Sequence, residues 1–598
     1  MSLLDRREFI KISALSACSL FISTTLTGCG KDEEKGNYIS VGFDHGVASG
    51  DPLSDRVIIW TRATPKVEVA DDQEFDIDFE VAKDADFTEI VRKEKVNTSK
   101  EKDFTVKVDV QELEAGTSYY YRFKSKELVS PVGKTKTLPV GDVSSVKMAV
   151  FTCANYPNGY FNAYTEAAKM DDLDATVHVG DYIYEYGMFE SDGTTPAYAT
   201  KNAQNIGREL PADNDKELLT LDDYRKRYAL YHTDSGTQDI HKACPMIVVW
   251  DDHEVANDSY KDGAQNHNVG EGEYSQRVAD ALQAYFEWLP IRPIVDKKKI
   301  YRSFDFGNLV SLHMLETRLF GRDKQLNYAD YYTPDFDATS LTEDLTAPSR
   351  TMMGAEQLTW LQGKLQDSSA TWQVLGQQVL MGRMNLPAEI LGPVAQLENA
   401  TDAEKATLMQ QINTSLSELA QIKAKKLQGG TLTAIEQQRI DTALPYNLDA
   451  WDGYFAEREA ILGTAKALDK NLVVLSGDTH NAWANDLKDM HGDQVGVEFA
   501  TTSVTSPGLE DYLGLPDVGS SMEFEGVLSL LIDDLKYANT FDRGFMTMEF
   551  SKDEAISEWH FVDNYHSKSY GMNDSRFARF RVKAGVEGRN IEIVNPIY

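Results

Sequence analysis

The sequence is poor in positive charge. It holds 60 lysines and arginines against 95 acidic residues, which gives a formal net charge of −35 over 598 residues. So acidic a chain is not suited to bind nucleic acids or anionic lipids through a general basic field. The composition fits an exported protein that can hold hard cations such as calcium through oxygen ligands.

Cysteine is also scarce, with four in the whole chain, of which two stand near the N-terminus. The remaining two are Cys153 and Cys244. One pair cannot build the disulfide framework that stabilises small secreted domains. The two could pair with each other, or one could have another role. Cys244 is predicted to be buried and inert.

Long apolar runs are rare as well, and one of them lies at the N-terminus. Residues 12–26 are mostly apolar but too few to be taken as a membrane span. Arg6 and Arg7, followed by Phe-Ile-Lys at 9–11, resemble a twin-arginine export signal. We therefore expect residues 1–28 to be a signal peptide.

The end of this segment resembles a lipobox. "LTGC" at 26–29 places small residues before Cys29, which predicts a diacylated N-terminus there. Two alternatives are a plain signal peptide that happens to contain a cysteine, and a rival box, "LSAC", that ends at Cys18. We expect a periplasmic or cell-surface protein whose membrane contact is limited to a lipid on Cys29.

The length predicts at least two domains, because single hydrophobic cores stop growing beyond about 250 to 300 residues. An acidic tether is expected at residues 29–39, and residues 40–140 show short runs of alternating polarity that predict a β-sandwich. The segment "LEAGTSYYYRF" at 113–123 resembles the tyrosine corner of fibronectin-type or immunoglobulin-like modules.

Residues 145–598 show a different pattern, in which apolar strands end in polar residues and alternate with helical stretches. Strands of this kind are covered on both faces in layered α/β folds, whose sites form beyond the carboxyl ends of the strands. The six runs are "VKMAVFTCAN", "ATVHVGDYIY", "PMIVVWDDHE", "LVSLHMLETR", "WQVLGQQVL" and "NLVVLSGDTH". Four of these six ends carry side chains that can bind a metal.

One segment interrupts this pattern. Residues 395–444 are rich in Ala, Gln, Leu and Glu, and two capping boxes, at 401–404 and 433–436, flank Gly429 and Gly430. The segment is predicted to be an inserted helical hairpin. A solvated decoration without a role in catalysis is favoured over a lid.

The first two strand ends offer unusual donors. Cys153 directly follows an apolar run, although a buried cysteine is usually a small hydrophobic residue. Asp181 and Tyr184 lie three residues apart where the next run stops. Tyrosines in such a stretch commonly pack as aromatics, but an anionic phenolate also suits ferric iron.

The other two strand ends are rich in charge. Asp251, Asp252, His253 and Glu254 follow one strand, and burying all four without partners would cost several kcal/mol for each charge. A solvated loop is the alternative for the first and last of them. Asp478 and His480 share one face of an extended segment. Together the four ends indicate a polynuclear metal centre.

The order of these ends, Cys, Gly-Asp-x-x-Tyr, Asp-His-Glu and Gly-Asp-x-His, is similar to that of the calcineurin-like metallophosphatases. It most closely resembles the alkaline phosphatase D (PhoD-like) family. The likeness covers "HGVASGDPLSDRVIIWTR" (45–62), "GDYIYEYG" (180–187), "LDDYRKRYALYHTD" (221–234), "WDDHEVAND" (250–258), "SGDTH" (476–480) and "FATTSVTSPG" (499–508). It spans essentially the mature chain except the 395–444 segment.

The resemblance implies a β-sandwich followed by a four-layered α/β/β/α phosphatase domain. It also implies ferric iron (Fe3+) together with calcium (Ca2+), the iron taking a thiolate and a tyrosinate, with Asp181 as the bridge. Carried over residue by residue, the implied metal ligands are Cys153, Asp181, Tyr184, Asp252, Asp478 and His480. Glu316 stands where the family has an aspartate, so no role is assigned to it.

The expected reaction is direct attack of a metal-bound hydroxide on a small phosphate ester, with release of inorganic phosphate. His253 is implied as the acid that protonates or orients the leaving alkoxide, and His178 is expected in the core. Arg318 is either a phosphate clamp or a structural ion pair. Alternatives for the whole chain are a phosphodiesterase with the same metals and a degenerate surface lipoprotein that binds glycan or protein. A monomer is expected.

Overall fold

A computed structural model describes residues 36–126, 128–331, 336–397 and 400–594. The expected signal peptide, Cys18, Cys29 and most of the expected tether lie outside these ranges, so export and lipidation stay predictions. Among the residues so described, no helix combines the length and the apolar character that a membrane crossing requires.

The strands are numbered in chain order. In the N-terminal region they are β1 (Val41–Gly42), β2 (Val47–Gly50), β3 (Val57–Arg62), β4 (Thr64–Pro65), β5 (Phe75–Ala82), β6 (Ile90–Thr98), β7 (Thr105–Val110), β8 (Ser118–Ser125), β9 (Leu128–Val129) and β10 (Gly133–Lys136). In the rest they are β11 (Ser145–Phe151), β12 (Ala175–His178), β13 (Met246–Val248), β14 (Arg302–Phe306), β15 (Val310–Met314), β16 (Trp372–Gly376), β17 (Asn385–Pro387), β18 (Ala443–Pro445), β19 (Asn471–Ser476), β20 (Ala482–Lys488), β21 (Gln494–Ala500), β22 (Leu535–Asn539), β23 (Arg543–Ser551), β24 (Glu554–Val562), β25 (Ala578–Lys583) and β26 (Glu592–Ile593).

The α-helices are designated by their ranges. They are Asn162–Ala167, Ala203–Ile206, Leu221–Tyr231, Ser235–Ala243, Tyr274–Trp288, Ala338–Leu345, Gly354–Asp367, Ala388–Leu397, Asp402–Leu427, Ala434–Asp441, Phe455–Ala467, Leu509–Tyr512 and Val518–Leu531. Several begin at a polar cap that accepts a backbone N–H, as Thr220 does in a capping box at the start of Leu221–Tyr231.

Two large sheets form the centre of the fold. One has the order β26-β25-β24-β23-β11-β12-β13-β2-β3-β7, and the other has the order β14-β15-β16-β19-β21-β20-β22. In the first, β11, β12 and β13 are parallel, and in the second β15, β16, β19 and β21 are parallel. All six apolar runs identified in the sequence are strands of these two sheets.

The two sheets face each other across the main hydrophobic core. Successive residues of a strand point to opposite faces of its sheet. Val473 and Leu475 of β19 accordingly belong to the core between the sheets. Leu472 and Val474 belong to a second core, under the helices Gly354–Asp367 and Phe455–Ala467. Helices also cover the outer face of the first sheet, which confirms the four-layered α/β/β/α arrangement.

The N-terminal region is two-layered, and one layer belongs to the large sheet. Strands β5, β6, β8, β9 and β10 form a five-stranded sheet, and a core that includes Phe79 and Phe123 lies between it and β2, β3 and β7. Because Met246 of β13 pairs with Gly50 of β2, that second layer continues the ten-stranded sheet. The Tyr119 hydroxyl oxygen accepts a hydrogen bond from the Glu114 amide at 2.9 Å, as a tyrosine corner does.

The helical insertion is longer than the sequence indicates. Strands β17 and β18 pair antiparallel at its base, so it runs from residue 385 to 445 rather than from 395 to 444. The helix Ala388–Leu397 is apolar, like the core sequence before it. The sequence therefore shows no change in composition where the insertion begins. The insertion also packs through Ile412 and Leu419 against Leu531, so it is not a purely solvated decoration.

Candidate metal centre

The loops after β11, β12, β13 and β19 meet at one edge of the two sheets. Gly180 precedes Asp181, and a Cβ there would lie 2.3 Å from Asp251 Cβ. Gly477 precedes Asp478, and a Cβ there would lie 2.3 Å from Thr152 Oγ1. The repeated Gly-Asp pair therefore reflects how closely the loops approach one another.

Four candidate ligands have left-handed backbone. The φ angles are 57° at Cys153, 56° at Asp181, 63° at Asp478 and 66° at His480. Each such conformation costs a non-glycine residue on the order of 1–3 kcal/mol and persists where the surroundings impose it. Strain at four of the positions that the sequence singled out marks this loop cluster as a functional site.

Four donor side chains from three of these loops lie within contact of one another. The Cys153 thiol lies 3.3 Å from Asp181 Oδ2. The Tyr184 hydroxyl lies 3.1 Å from the same oxygen and 3.2 Å from His480 Nε2. Ligand atoms of Cys153, Asp181 and His480 all fall within 4.8 Å of one another. A thiol, a carboxylate, a phenol and an imidazole thus surround one point.

Neighbouring groups orient these donors. The Pro507 carbonyl lies 2.6 Å from His480 Nδ1, which holds the proton on that nitrogen and leaves the Nε2 lone pair free for a ligand bond. Ser506 Oγ donates to the Tyr184 hydroxyl oxygen at 2.7 Å. Asp181 Oδ1 is buried and has no hydrogen-bond partner. An orphaned carboxylate oxygen in this position is what a bridging ligand requires.

A second group adjoins the first through Asp181. Ligand atoms of Asp181, Asp252 and His253 lie within 4.8 Å of one another. Asp252 is held by the backbone N–H groups of Asp258 and His253, at 2.6 and 3.0 Å. Asp478 belongs to neither group by this measure. Its carboxylate accepts a hydrogen bond from Arg318 at 3.0 Å.

His253 is fixed by a carboxylate and by aromatic rings. Its Nδ1 lies 2.7 Å from Glu185 Oε2, which leaves Nε2 to face the site. The imidazole lies against Tyr184, with ring centroids 4.2 Å apart. Burial by itself lowers the pKa of His253, but Asp252, Glu185 and Asp181 outweigh it and raise the pKa well above its usual value. Of these three carboxylates, Glu185 is the one that contacts the imidazole directly and orients it.

Arg318 is fully buried and is surrounded by carboxylates. Its guanidinium donates to Asp251, to Asp449 at 2.9 Å and to Asp478 at 3.0 Å. Asp252 lies 4.0 Å away. Since all three guanidinium nitrogens are engaged by carboxylates, these contacts favour the structural ion pair over the phosphate clamp.

Three further acids are structural supports. Glu254 is fully buried, not in a solvated loop, and accepts from the amides of Asp181, Tyr182 and Asp251. Asp251 is equally buried through its pair with Arg318. Glu316 accepts from the Trp250 indole and from backbone amides of its own turn, so it faces away from the donor cluster.

Burial disfavours the ionised forms of the donor side chains in this cluster. Burial, followed by Asp181, raises the pKa of Cys153 well above its usual value. Burial likewise raises the pKa values of Tyr184, Asp181 and Asp478 well above theirs, and neighbouring anions add to the effect. A cation bound among them would reverse this balance, because it favours the ionised donors. The donor set fits ferric iron beside a harder ion such as calcium.

His178 and Cys244 lie where the sequence predicts them, whereas three residues that support the site were not predicted. His178 is in the core, where Tyr164 contacts its Nε2 at 2.9 Å and burial lowers its pKa to about 3. Cys244 is a free, buried thiol. Sequence reasoning missed Glu185, Asp449 and Ser506, since none of them follows a strand in a recognisable pattern. For Glu185 and Ser506 the only signal was their place inside the quoted motifs.

Comparisons with known proteins agree with this geometry. The model of the PhoD-like phosphatase family matches residues 148–559, and the model of its N-terminal domain matches residues 30–139. Alkaline phosphatase D of Bacillus subtilis (strain 168) is 35% identical over 522 residues, which cover 84% of this chain and 76% of that protein. A solved structure described as "Structure of PhoD" superimposes with a TM-score of 0.70 at 29% identity, and the match covers 94% of this chain and 93% of that one. The family prediction is confirmed: the chain belongs to the PhoD-like phosphatases and is a phosphoric ester hydrolase.

Proposed function

We propose that this chain is an exported, metal-dependent phosphatase that hydrolyses phosphate esters by direct in-line attack of hydroxide on phosphorus. The observation that carries the proposal is the convergence of Cys153, Asp181, Tyr184 and His480, from three separate loops, on one point. Direct attack predicts a single displacement and no phosphorylated side chain.

The two donor groups suggest different ions. Cys153, Tyr184 and His480 would hold ferric iron, and Asp181 would bridge it to a neighbouring calcium site. Asp252 and Asp478 would complete that second site with oxygen ligands, which calcium prefers. When bound, such ions lower the pKa of water and neutralise the negative charge of the phosphoryl oxygens.

His253 would act on the leaving group. The Glu185 carboxylate, which is not among the proposed metal ligands, lies against Nδ1 and favours the protonated imidazole. The bond from Nδ1 to Glu185 fixes the ring, so that Nε2 can donate its proton to the departing alkoxide oxygen. Glu185 in this arrangement is a positioning residue.

The buried Arg318 would neutralise part of the negative charge of the carboxylates around it. It holds Asp251, Asp449 and Asp478 in one arrangement, which fixes the loop that carries His480. The alternative role, a phosphate clamp, would have to use the two guanidinium N–H groups that these three hydrogen bonds do not engage.

The reaction is tested by the stereochemistry at phosphorus. With a chiral thiophosphate ester in isotopically labelled water, a single displacement gives inversion. Retention, or a phosphorylated side chain trapped by rapid acid quench, would contradict direct attack. Initial rates on matched mono- and diesters decide between a phosphatase and a phosphodiesterase that uses the same centre.

Export and anchoring need a separate test. Arg6 and Arg7 changed to Lys should stop export, and Cys29→Ser should release the exported protein from the membrane fraction. An exported Cys29→Ser protein that stays in the membrane fraction would remove the lipid anchor from the proposal.

A further inference from the structure

Two aromatic side chains are exposed on segments that border the metal centre. Phe189 and Tyr512 are 53% and 61% exposed. Every other phenylalanine, tyrosine or tryptophan that the structure describes is buried or half-buried. Phe189 lies in the loop between Tyr186 and Tyr198. Tyr512 ends the short helix Leu509–Tyr512. Exposed apolar side chains that are scattered singly are normal, so the placement of both beside one site needs an explanation.

Tyr198 is the outer member of a group of rings at the metal centre. Its ring centroid lies 6.0 Å from that of Tyr184, with an interplanar angle of 23°. It lies 6.4 Å from that of His253, with an angle of 9°. The Tyr198 hydroxyl is 3.3 Å from His480 Nδ1. Tyr184 and His253 are buried, whereas Tyr198 is half-buried. The group therefore begins among the candidate ligands and ends at a ring that solvent reaches.

Tyr446 and Tyr512 lie beside the opening of the centre, where the Asp478 side chain is 18% exposed. Burial raises the pKa of Tyr446 above its usual value, and Tyr512 and Asp478 add to the effect, so these three side chains are neighbours. Burial, followed by Tyr512, raises the pKa of Tyr198 well above its usual value. The Tyr186 ring lies 5.5 Å from that of Tyr198. We call these four tyrosines the tyrosine rim.

The rim lies on the side of the centre where the leaving group is expected. In the proposed function, His253 donates its proton to the departing oxygen, so the leaving group lies beside the imidazole. The Tyr186 ring centroid is 5.3 Å from that imidazole, and the Tyr198 ring centroid is 6.4 Å from it. A substituent that extends outward from the departing oxygen therefore meets aromatic faces before it reaches bulk water.

We propose that the tyrosine rim binds a planar aromatic group of the substrate, such as a nucleobase, by stacking. The preferred phosphate esters then carry such a group on the leaving side. The rings of Tyr198 and His253 are nearly parallel, and a planar group on the exposed side of Tyr198 would continue their arrangement. The proposal rests on the proposed function, because the phosphate must bind at the metal centre while the planar group lies on the rim.

The test compares adenosine 5′-monophosphate with methyl β-D-ribofuranoside 5-phosphate, using the metal-loaded enzyme. Both esters release a primary alcohol from the same carbon of ribose, so their leaving groups need the same proton and differ in the base. Stacking of the base is expected to raise kcat/KM by about 5- to 100-fold. A ratio within about threefold of one, with both esters hydrolysed, would overturn the rim proposal and leave the proposed function intact.

Glycerol 3-phosphate identifies a rim that binds sugars instead, through the C–H groups of a sugar ring. A gain in kcat/KM from glycerol 3-phosphate to the methyl riboside phosphate, without a further gain for the adenosine ester, would overturn the proposal. A further gain for the adenosine ester would support it.

Substitutions of Tyr512 separate its ring from its hydroxyl. Tyr512→Ala removes an exposed ring and should reduce the ratio of the two kcat/KM values to within about threefold of one, and Tyr198→Leu should reduce it as well. Tyr512→Phe keeps the ring and should keep most of the ratio. Leu427→Ala is the matched control, since Leu427 is 67% exposed at the end of the helix Asp402–Leu427 and should leave the ratio unchanged. An unchanged ratio in both Tyr512→Ala and Tyr198→Leu, or an equal loss in Tyr512→Phe and Tyr512→Ala, would overturn stacking on the rim.

Binding separates this proposal from the proposed function. If neither ester is hydrolysed, the proposed function fails, and calorimetry with the isosteric phosphonates, in which a methylene replaces the ester oxygen, still examines the rim. Binding of the adenosine phosphonate that is at least about fivefold tighter than that of the methyl riboside phosphonate, with the difference lost in Tyr512→Ala, would support the rim proposal. Equal affinity of the two phosphonates would overturn it.

Discussion

The N-terminal sheet and the metal centre both bury carboxylates, and they balance the negative charge differently. Glu80 on β5 is 1% exposed and forms ion pairs with Lys93, Arg122 and Lys124 at 3.2, 2.7 and 2.6 Å. Burial alone would raise the pKa of Glu80, but the three cations lower it to about 2. The strand register places Lys93 and Arg122 directly beside Glu80.

Around the metal centre, the carboxylates outnumber the cations among the residues that the structure describes. Arg318 faces several carboxylates at once, and burial raises the pKa values of Asp181 and Asp478 well above the usual range. The N-terminal sheet thus supplies its own cations to Glu80. The metal centre has an excess of negative charge, which a bound cation would neutralise. The difference separates a carboxylate that stabilises the fold from carboxylates that we propose as metal ligands.

The largest effect is expected from Asp181→Asn. Loss of the bridging charge should empty the centre of iron and calcium and lower kcat/KM on the order of 1,000-fold or more. Metal analysis and initial rates measure both quantities. Glu80→Gln, in the other region, is the control and should keep its metal and its activity. An Asp181→Asn enzyme with full metal content and full activity would remove the basis of the comparison.

His253→Gln should lower kcat by about 100-fold while the metal content stays unchanged. The loss should be much smaller for aryl phosphates, whose leaving groups need no proton, than for alkyl phosphates. In the wild type, activity that depends on the protonated His253 falls as the pH rises through the pKa that this residue has in the metal-loaded enzyme, and the variant should lack this limb. An equal loss for both substrate types would contradict the acid role.

Glu80→Gln should lower the free energy of unfolding by about 2 kcal/mol at neutral pH, because it leaves three cations without their anion. A carboxyl whose pKa is depressed on folding stabilises the protein above its unfolded pKa, about 4.3. This stabilisation is lost as the pH falls toward the folded value of about 2. Denaturant unfolding between pH 2 and 7 should show the difference between wild type and variant shrinking with acid. A constant difference would contradict the linkage.

The smallest effect is expected at the surface of the insertion. Arg439 pairs with Glu389 and Glu418, each at 2.7 Å, but all three side chains are partly exposed. Arg439→Ala should therefore cost only about 0.5 kcal/mol, measured by thermal unfolding. A cost above about 2 kcal/mol would show that these partly exposed ion pairs contribute as much to stability as the buried pairs of Glu80 do.

The strands and the grouping of the candidate ligands could be predicted from the sequence because both are local patterns. Apolar runs such as the one before Cys153 identify strands, and polar residues at their ends identify the side chains that meet when parallel strands share an edge. The order of the polar residues after these four strands then implied which side chains form one metal centre. The contacts of Cys153, Asp181, Tyr184 and His480 follow from this pattern.

Other features depend on contacts between distant segments. Asp449 reaches Arg318 across 131 positions in sequence, and Ser506 reaches Tyr184 across 322, so no local spacing indicates either. The pairing of β2 with β13 depends in the same way on the register of segments far apart in the chain. Strand β6 shows no local pattern of this kind, because it is largely exposed and lacks alternating apolar residues.

The central claim is that the charge deficit around Asp181 is filled by metal. The most direct measurement is the iron and calcium content of the purified enzyme, together with its visible absorption spectrum, in wild type and in Tyr184→Phe. We expect about one iron per chain with calcium, and a tyrosinate-to-iron absorption band that is absent from the variant. An active wild-type enzyme without stoichiometric iron, or a band that persists in Tyr184→Phe, would contradict the account.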